Sequence, residues 1–238
     1  MQTKPLLQIQ PTFKNLLVFL FFFFLMHELH ELAHIITGRI ICGCWGARNF
    51  NVWDPCKDCK LKPQAVIATF AGPIFTFMML WIGRHWVKYG KSTQYRSLGL
   101  VFFWQYAVWA QYMAATGSGD EVTGRRSLFL NAGHSNSSLI KIITIIIVSA
   151  ICIPPLITAY KAIANKRKML LYISLIIMPL ILDTAIILIL LNGLLEKGLL
   201  NQAWIIGMPL LVTLWFIMCL LIVVINSRRL THFAKDKV

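Results

Sequence analysis

Three of the six histidines in this 238-residue chain, and two of its four glutamates, fall between His27 and His34. Within that stretch His30-Glu31-Leu32-Ala33-His34 has the HExxH spacing. On a helix, side chains at i and i+4 share a face about 6 Å apart along the axis, so two imidazoles can take adjacent corners of a tetrahedral zinc site. The glutamate between them is close enough to serve as general base towards a zinc-bound water. His27, three residues before His30, shares roughly that face and is expected to support the site. Glu28 can orient a ligand imidazole or face water.

The elements that must position these residues follow from composition. The chain is 58% hydrophobic and 13% charged, with a mean hydropathy of +0.68. A soluble domain carries about a quarter charged residues, so a water-soluble enzyme, a disordered chain and a coiled coil are excluded. The formal charge is +14, from 23 Lys and Arg against 9 Asp and Glu. These basic residues are scattered between apolar runs, which points to membrane topology and lipid headgroups, with no nucleic-acid partner. The expected class is all-α: a polytopic helical bundle of about six spans forming one membrane domain over residues 1–238. The spans are Leu16–Ile41, Ala65–Trp86, Leu98–Ala115, Leu139–Tyr160, Met169–Asn192 and Ala203–Ile225. Their connections are short and polar. Counting Lys and Arg on alternate loops favours a cytoplasmic side for both termini, in a multi-pass protein of the cell membrane.

In such a bundle the histidine cluster lies inside the bilayer. Leu16 to His30 covers roughly 21 Å of a hydrocarbon layer about 30 Å thick. Intramembrane ionisable residues usually mark a site or a pathway. A catalytic zinc keeps three protein ligands and one open position, so a third ligand is needed. Asp120 lies in Thr116-Gly-Ser-Gly-Asp-Glu-Val-Thr-Gly124, directly after the third span. The first and third spans run the same way, which brings Asp120 out on the face of His30 and His34. The glycines allow a tight backbone that can dip the carboxylate towards a metal. Asp183, well inside the fifth span, is the rival: a ligand, a proton carrier, or a buried neutral acid bonded to a neighbouring helix. His134 is a weaker candidate.

Together, His30-Glu-Leu-Ala-His34, Ala71-Gly-Pro-Ile-Phe-Thr76 and Gly119-Asp120 resemble the site-2-protease family of intramembrane zinc metalloproteases. They follow its order of HExxH, a Gly-Pro helix and an Asp ligand. The resemblance covers residues 16–125, a three-span core, and leaves 139–226 as accessory spans. It implies Zn2+ held by His30, His34 and Asp120, with Glu31 activating water. It also implies a substrate that is itself a membrane protein, hydrolysed in or near a transmembrane segment after local unwinding. Two positions depart from the family pattern: Thr76 stands where Asn is usual, and Glu121 follows Asp120 where Gly is usual. Many members also hold the metal nearer the cytosolic face, whereas the Lys and Arg count places His30 and His34 nearer the outside.

Cys42, Cys44, Cys56 and Cys59 lie in the loop after the first span. They can form two disulfides, hold a structural zinc, or remain thiols. Either staple would stiffen a hairpin beside the site, where an unwound substrate can add as a strand. Gly72 and Pro73 allow close helix approach and a bend. Two other functions fit the same residues: a membrane metal transporter or metal-binding protein, and an inactive relative that binds membrane partners.

Overall fold

A computed structural model of the chain describes residues 5–59, 63–103, 107–124 and 137–237. It is mostly helical. Four of the described helices are long and apolar enough to cross a membrane: Phe13–Cys42, Ala65–Tyr89, Ser138–Ala162 and Lys168–Glu196. The first, α1 (Phe13–Cys42), starts where Thr12 accepts a hydrogen bond from the Asn15 N–H, a side-chain cap for an otherwise unpaired donor. It ends where the Arg39 guanidinium donates to the Gly43 carbonyl.

α1 is the centre of the bundle because its apolar residues surround it. Phe19 stacks on Phe233, Phe22 meets Phe102 edge-on, and Phe24 packs against Trp215. The run Phe21–Phe24 therefore distributes rings around the helix, each pair adding about 0.5–1.5 kcal/mol beyond burial alone. α1 packs mainly on α2 (Ala65–Tyr89) and on α8 (Leu210–Ile225). The other helices are α3 (Thr93–Phe102), α4 (Ala107–Thr116), α5 (Ser137–Ala162), α6 (Lys168–Asp183), α7 (Asn192–Glu196) and α9 (Ser227–Thr231). A π-helix, Thr184–Leu191, separates α6 from α7.

Polarity runs opposite to that of a soluble protein. Ile142, Ile146, Ile153 and Ile157 are exposed along one face of α5, and Ile173, Ile177 and Ile181 along α6. Glu28, His30, Glu31, His34, Arg48 and Thr76 are buried instead. Apolar faces outward and ionisable groups inward suit a lipid surround, where an unpaired polar group would cost several kcal/mol.

Two expected spans differ in outline. Residues 93–116 form two described helices, α3 capped by Ser92 and then α4, with residues 104–106 outside the described set. The expected helix over Ala203–Ile225 begins only at Leu210. Before it, the Trp204 N–H donates to the Met208 carbonyl and Ala203 bridges Pro209. Pro209 cannot donate a backbone hydrogen bond and is suited to opening a helix, not to continuing one. α8 is thereby limited to 16 residues.

Two small sheets add to the all-helical plan. β1 (Leu7–Ile9) pairs antiparallel with β4 (Ala234–Asp236), joining the chain's ends. The Arg96 guanidinium donates to Asp236 at 2.9 Å and to the Pro5 carbonyl, fixing α3 to this terminal sheet. At the far end of α1, β2 (Ala47–Arg48) pairs with β3 (Trp53–Asp54) in a hairpin. The bridges Cys42–Cys59 and Cys44–Cys56 staple its base, while Cys152 and Cys219 are buried free thiols. Peptide mapping without reductant is expected to recover those two pairs, with Cys152 and Cys219 alkylated only after unfolding. Any other pairing would contradict the hairpin.

Candidate metal centre

His30 and His34 lie one turn apart on α1, both buried. Their Nε2 atoms are 3.1 Å apart, and Asp120 Oδ2 lies 3.3 Å from each. The ligand atom of Glu31 is within 4.8 Å of those of both histidines. Asp183 is elsewhere: its carboxylate accepts from the His27 Nδ1–H at 3.0 and 3.1 Å. The loop acid thus joins the HExxH imidazoles, and the intramembrane acid joins His27. His134 lies outside the described residues.

Asp120 reaches this point through its glycines. Gly117 and Gly119 have φ of 82° and 88°, a region other residues seldom enter. That reversal starts a new helical turn at residue 120 and points the carboxylate back at α1. Burial works against the Asp120 charge, so its carboxylate and the two imidazole nitrogens 3.3 Å away need a proton or a cation between them. Neighbouring Glu121 has no such partner among the described residues, and burial pushes its carboxyl up to about 7.

The second helix supplies the orientation. The His34 Nδ1–H donates to the Ala68 carbonyl at 2.6 Å. A carbonyl can only accept, so the proton is on Nδ1 and the Nε2 lone pair faces His30 and Asp120. Ala68 lies in the turn before Pro73, whose ring crowds the preceding turn and which has no N–H of its own. Thr76 is turned back onto α2, donating to the Gly72 and Pro73 carbonyls. Gly72 is closest of all. A Cβ built there would fall onto the Nε2 atoms of His30 and His34.

The hairpin closes the other side. Trp53 lies parallel to the His34 ring, with centroids 6.1 Å apart and planes 6° from coplanar. Arg48 reaches into the bundle and donates to Glu28 at 2.7 Å, with both side chains almost wholly buried. The Phe50 N–H donates to the Asn192 side chain, which in turn donates to Asn51. These contacts, like that of Gly72, had no spacing signal, because each partner comes from a separate turn or loop.

The donor set fits a metal. The edge of a tetrahedron with bonds of about 2.0–2.1 Å is about 3.3–3.4 Å, the size of the His30–His34–Asp120 triangle. Atoms that present lone pairs to one another at this range need a cation or a proton among them. The triangle opens onto a cavity of about 290 Å³ lined by His27, Glu31, Asn51, Thr76, Met113 and Asp183, among others. Glu31 lines the cavity, and its carboxylate makes no hydrogen bond to any described residue.

Two substitutions examine this construction. Gly72→Ala is expected to push the His30 and His34 rings aside and to cost about 1–3 kcal/mol in thermal stability while circular dichroism keeps the helical signal. Arg48→Met is expected to cost about 3–5 kcal/mol in thermal or denaturant stability by stranding the Glu28 charge, and adding Glu28→Gln should restore much of it. No family model, curated protein or solved structure matches the chain.

Proposed function

We propose that this protein is a six-span intramembrane zinc endopeptidase. His30, His34 and Asp120 hold the metal, and Glu31 is the general base. The carrying observation is the triangle of three donor atoms at tetrahedral-edge spacing beside the Glu31 carboxylate, which lines the same cavity as His30 and Asp120 and has no hydrogen-bond partner among the described residues. The arrangement of the HExxH, Gly-Pro and Asp elements supports a place in the site-2-protease family. The pairing of β1 with β4 brings both ends of the chain together, which supports an even number of crossings. α3 with α4, and α8, are then the fifth and sixth spans beside the four long helices. Bridged cysteines in the hairpin favour an oxidising compartment at that end, in keeping with cytoplasmic termini.

When bound, zinc would polarise the scissile carbonyl and acidify water. The chain's own residues do the rest. Glu31 accepts a proton from the attacking water and delivers it to the departing amine nitrogen. The Ala68 carbonyl keeps the His34 ring in the tautomer that ligates. The apolar walls, with Met113 among them, limit bulk water and leave the polar face of α1 as its path. The substrate is a stretch of membrane protein unwound enough to enter the cavity.

Zinc content and cleavage of transmembrane reporter peptides test this together. Wild type is expected to bind one zinc and cleave. Glu31→Gln should retain zinc and lose at least 10²-fold in rate. Asp120→Ala should lose zinc, and Asp183→Ala should keep it. No bound metal in wild type, or zinc lost only in Asp183→Ala, would overturn the assignment. Zinc flux across vesicles without cleavage would favour a transporter.

A further inference from the structure

The His27–Asp183 pair belongs to the same cavity as Glu31 but has no place in the reaction so far. His27 precedes His30 by three residues and Glu31 by four, so the rings and carboxylate share one face with about 5–6 Å between Cβ atoms. Its Nδ1–H is taken up by both oxygens of Asp183, at 3.0 and 3.1 Å. Its Nε2 has no hydrogen-bond partner among the described residues, and the ring lines the cavity wall. Asp183 in turn occupies a distorted position. It is the last residue of α6, where the backbone widens into the π-helix Thr184–Leu191, one turn after Pro179. Such insertions within α-helices concentrate at functional sites, and an acid deep in a span is expensive unless used.

We infer that His27 is a second catalytic residue of this site, donating from Nε2–H to the carbonyl oxygen of the bound peptide, and that Asp183 is its positioning residue. The inference rests on the peptidase reading. In the imidazolium form both ring nitrogens donate, and the Asp183 carboxylate supplies the counter-charge. The other charged groups around it are Glu28 and Glu31 on its own helix, with Arg48 paired to Glu28 and Asp120 across the cavity.

In the reaction, the water oxygen bonds to the carbonyl carbon and its proton passes to Glu31. The carbonyl π pair moves onto oxygen, and the His27 N–H meets the charge that develops there. When that pair returns, the C–N bond breaks and the Glu31 proton leaves with the amine. His27 keeps its proton throughout. A donor fixed in advance in a site of low polarity stabilises the transition state more than the ground state, so its loss should appear in kcat.

The test uses the full chain in lipid bilayers, loaded with zinc, and a panel of fluorogenic transmembrane peptides. His27→Gln is expected to keep its zinc and its KM while kcat falls roughly 10²-fold. Asp183→Asn should lower kcat about tenfold at unchanged KM, and Asp183→Glu should recover part of that loss, a pattern that mere loss of packing would not give. Wild-type kcat in His27→Gln overturns the inference and leaves the peptidase reading intact. Loss of zinc in His27→Gln also overturns it, by making His27 a ligand. No cleavage by zinc-loaded wild type overturns both.

Discussion

A helix surrounded by other helices in a lipid layer has no bulk water for its ionisable side chains, so any such group must be answered by another part of the chain. α1 carries five of them between His27 and His34, and their partners define much of the surrounding structure. His34 takes the Ala68 carbonyl from α2 and Asp120 from the loop after α4; His30 shares that same oxygen. His27 takes Asp183 from α6, and Glu28 takes Arg48 from the hairpin. Glu31 is the exception. Among the described residues its carboxylate meets no hydrogen-bond donor, which leaves it open to a group that enters the cavity.

The arrangement of the site is readable from the sequence to the extent that it is local. HExxH depends only on helical spacing, and the glycines before Asp120 announce a backbone reversal that the φ values of Gly117 and Gly119 display. Apolar run length located the four long helices. What could not be read depends on distance in the chain. Gly72 looks like any small residue on a packed helix until the imidazoles of α1 are placed against it. Arg48 has the sequence setting of a loop charge, whereas the structure draws it into the bundle onto Glu28, twenty residues earlier. The strand pair that joins the termini has only three residues on each side, too few for an alternation pattern. The late start of α8 was concealed by the apolar character of residues 203–209, where hydropathy is blind to a turn ending in proline.

The stapled hairpin links covalent chemistry to the site. Its bridges close short loops at the base, and its tip supplies Asn51 to the cavity wall. Between them lie Trp53 against His34 and Arg48 against Glu28. A hairpin of this length would not hold such positions by its two-residue strands alone. The bridges limit its freedom at one end, and the Asn192 contacts limit it at the other. The wall of the cavity is therefore firmer on this side than its scant secondary structure suggests.

Those same contacts change how the second half of the chain is understood. By resemblance, residues 16–125 suffice for a catalytic core and 139–226 are accessory. Yet Asp183 answers His27, Asn192 holds the hairpin, and the Met208 sulfur accepts from the Arg48 guanidinium. Each is a polar contact made inside the bundle, where losing one partner strands the other. α2 and the loop after α4 supply the geometry around His30 and His34, while the counter-charge to His27 comes from α6 and that to Glu28 from the hairpin. A core cut at residue 125 would keep every proposed zinc ligand and lose the partner of His27. The surroundings of the α1 cluster are thus built from both halves of the sequence, with Ala68, Asp120 and Arg48 from the first and Asp183 from the second.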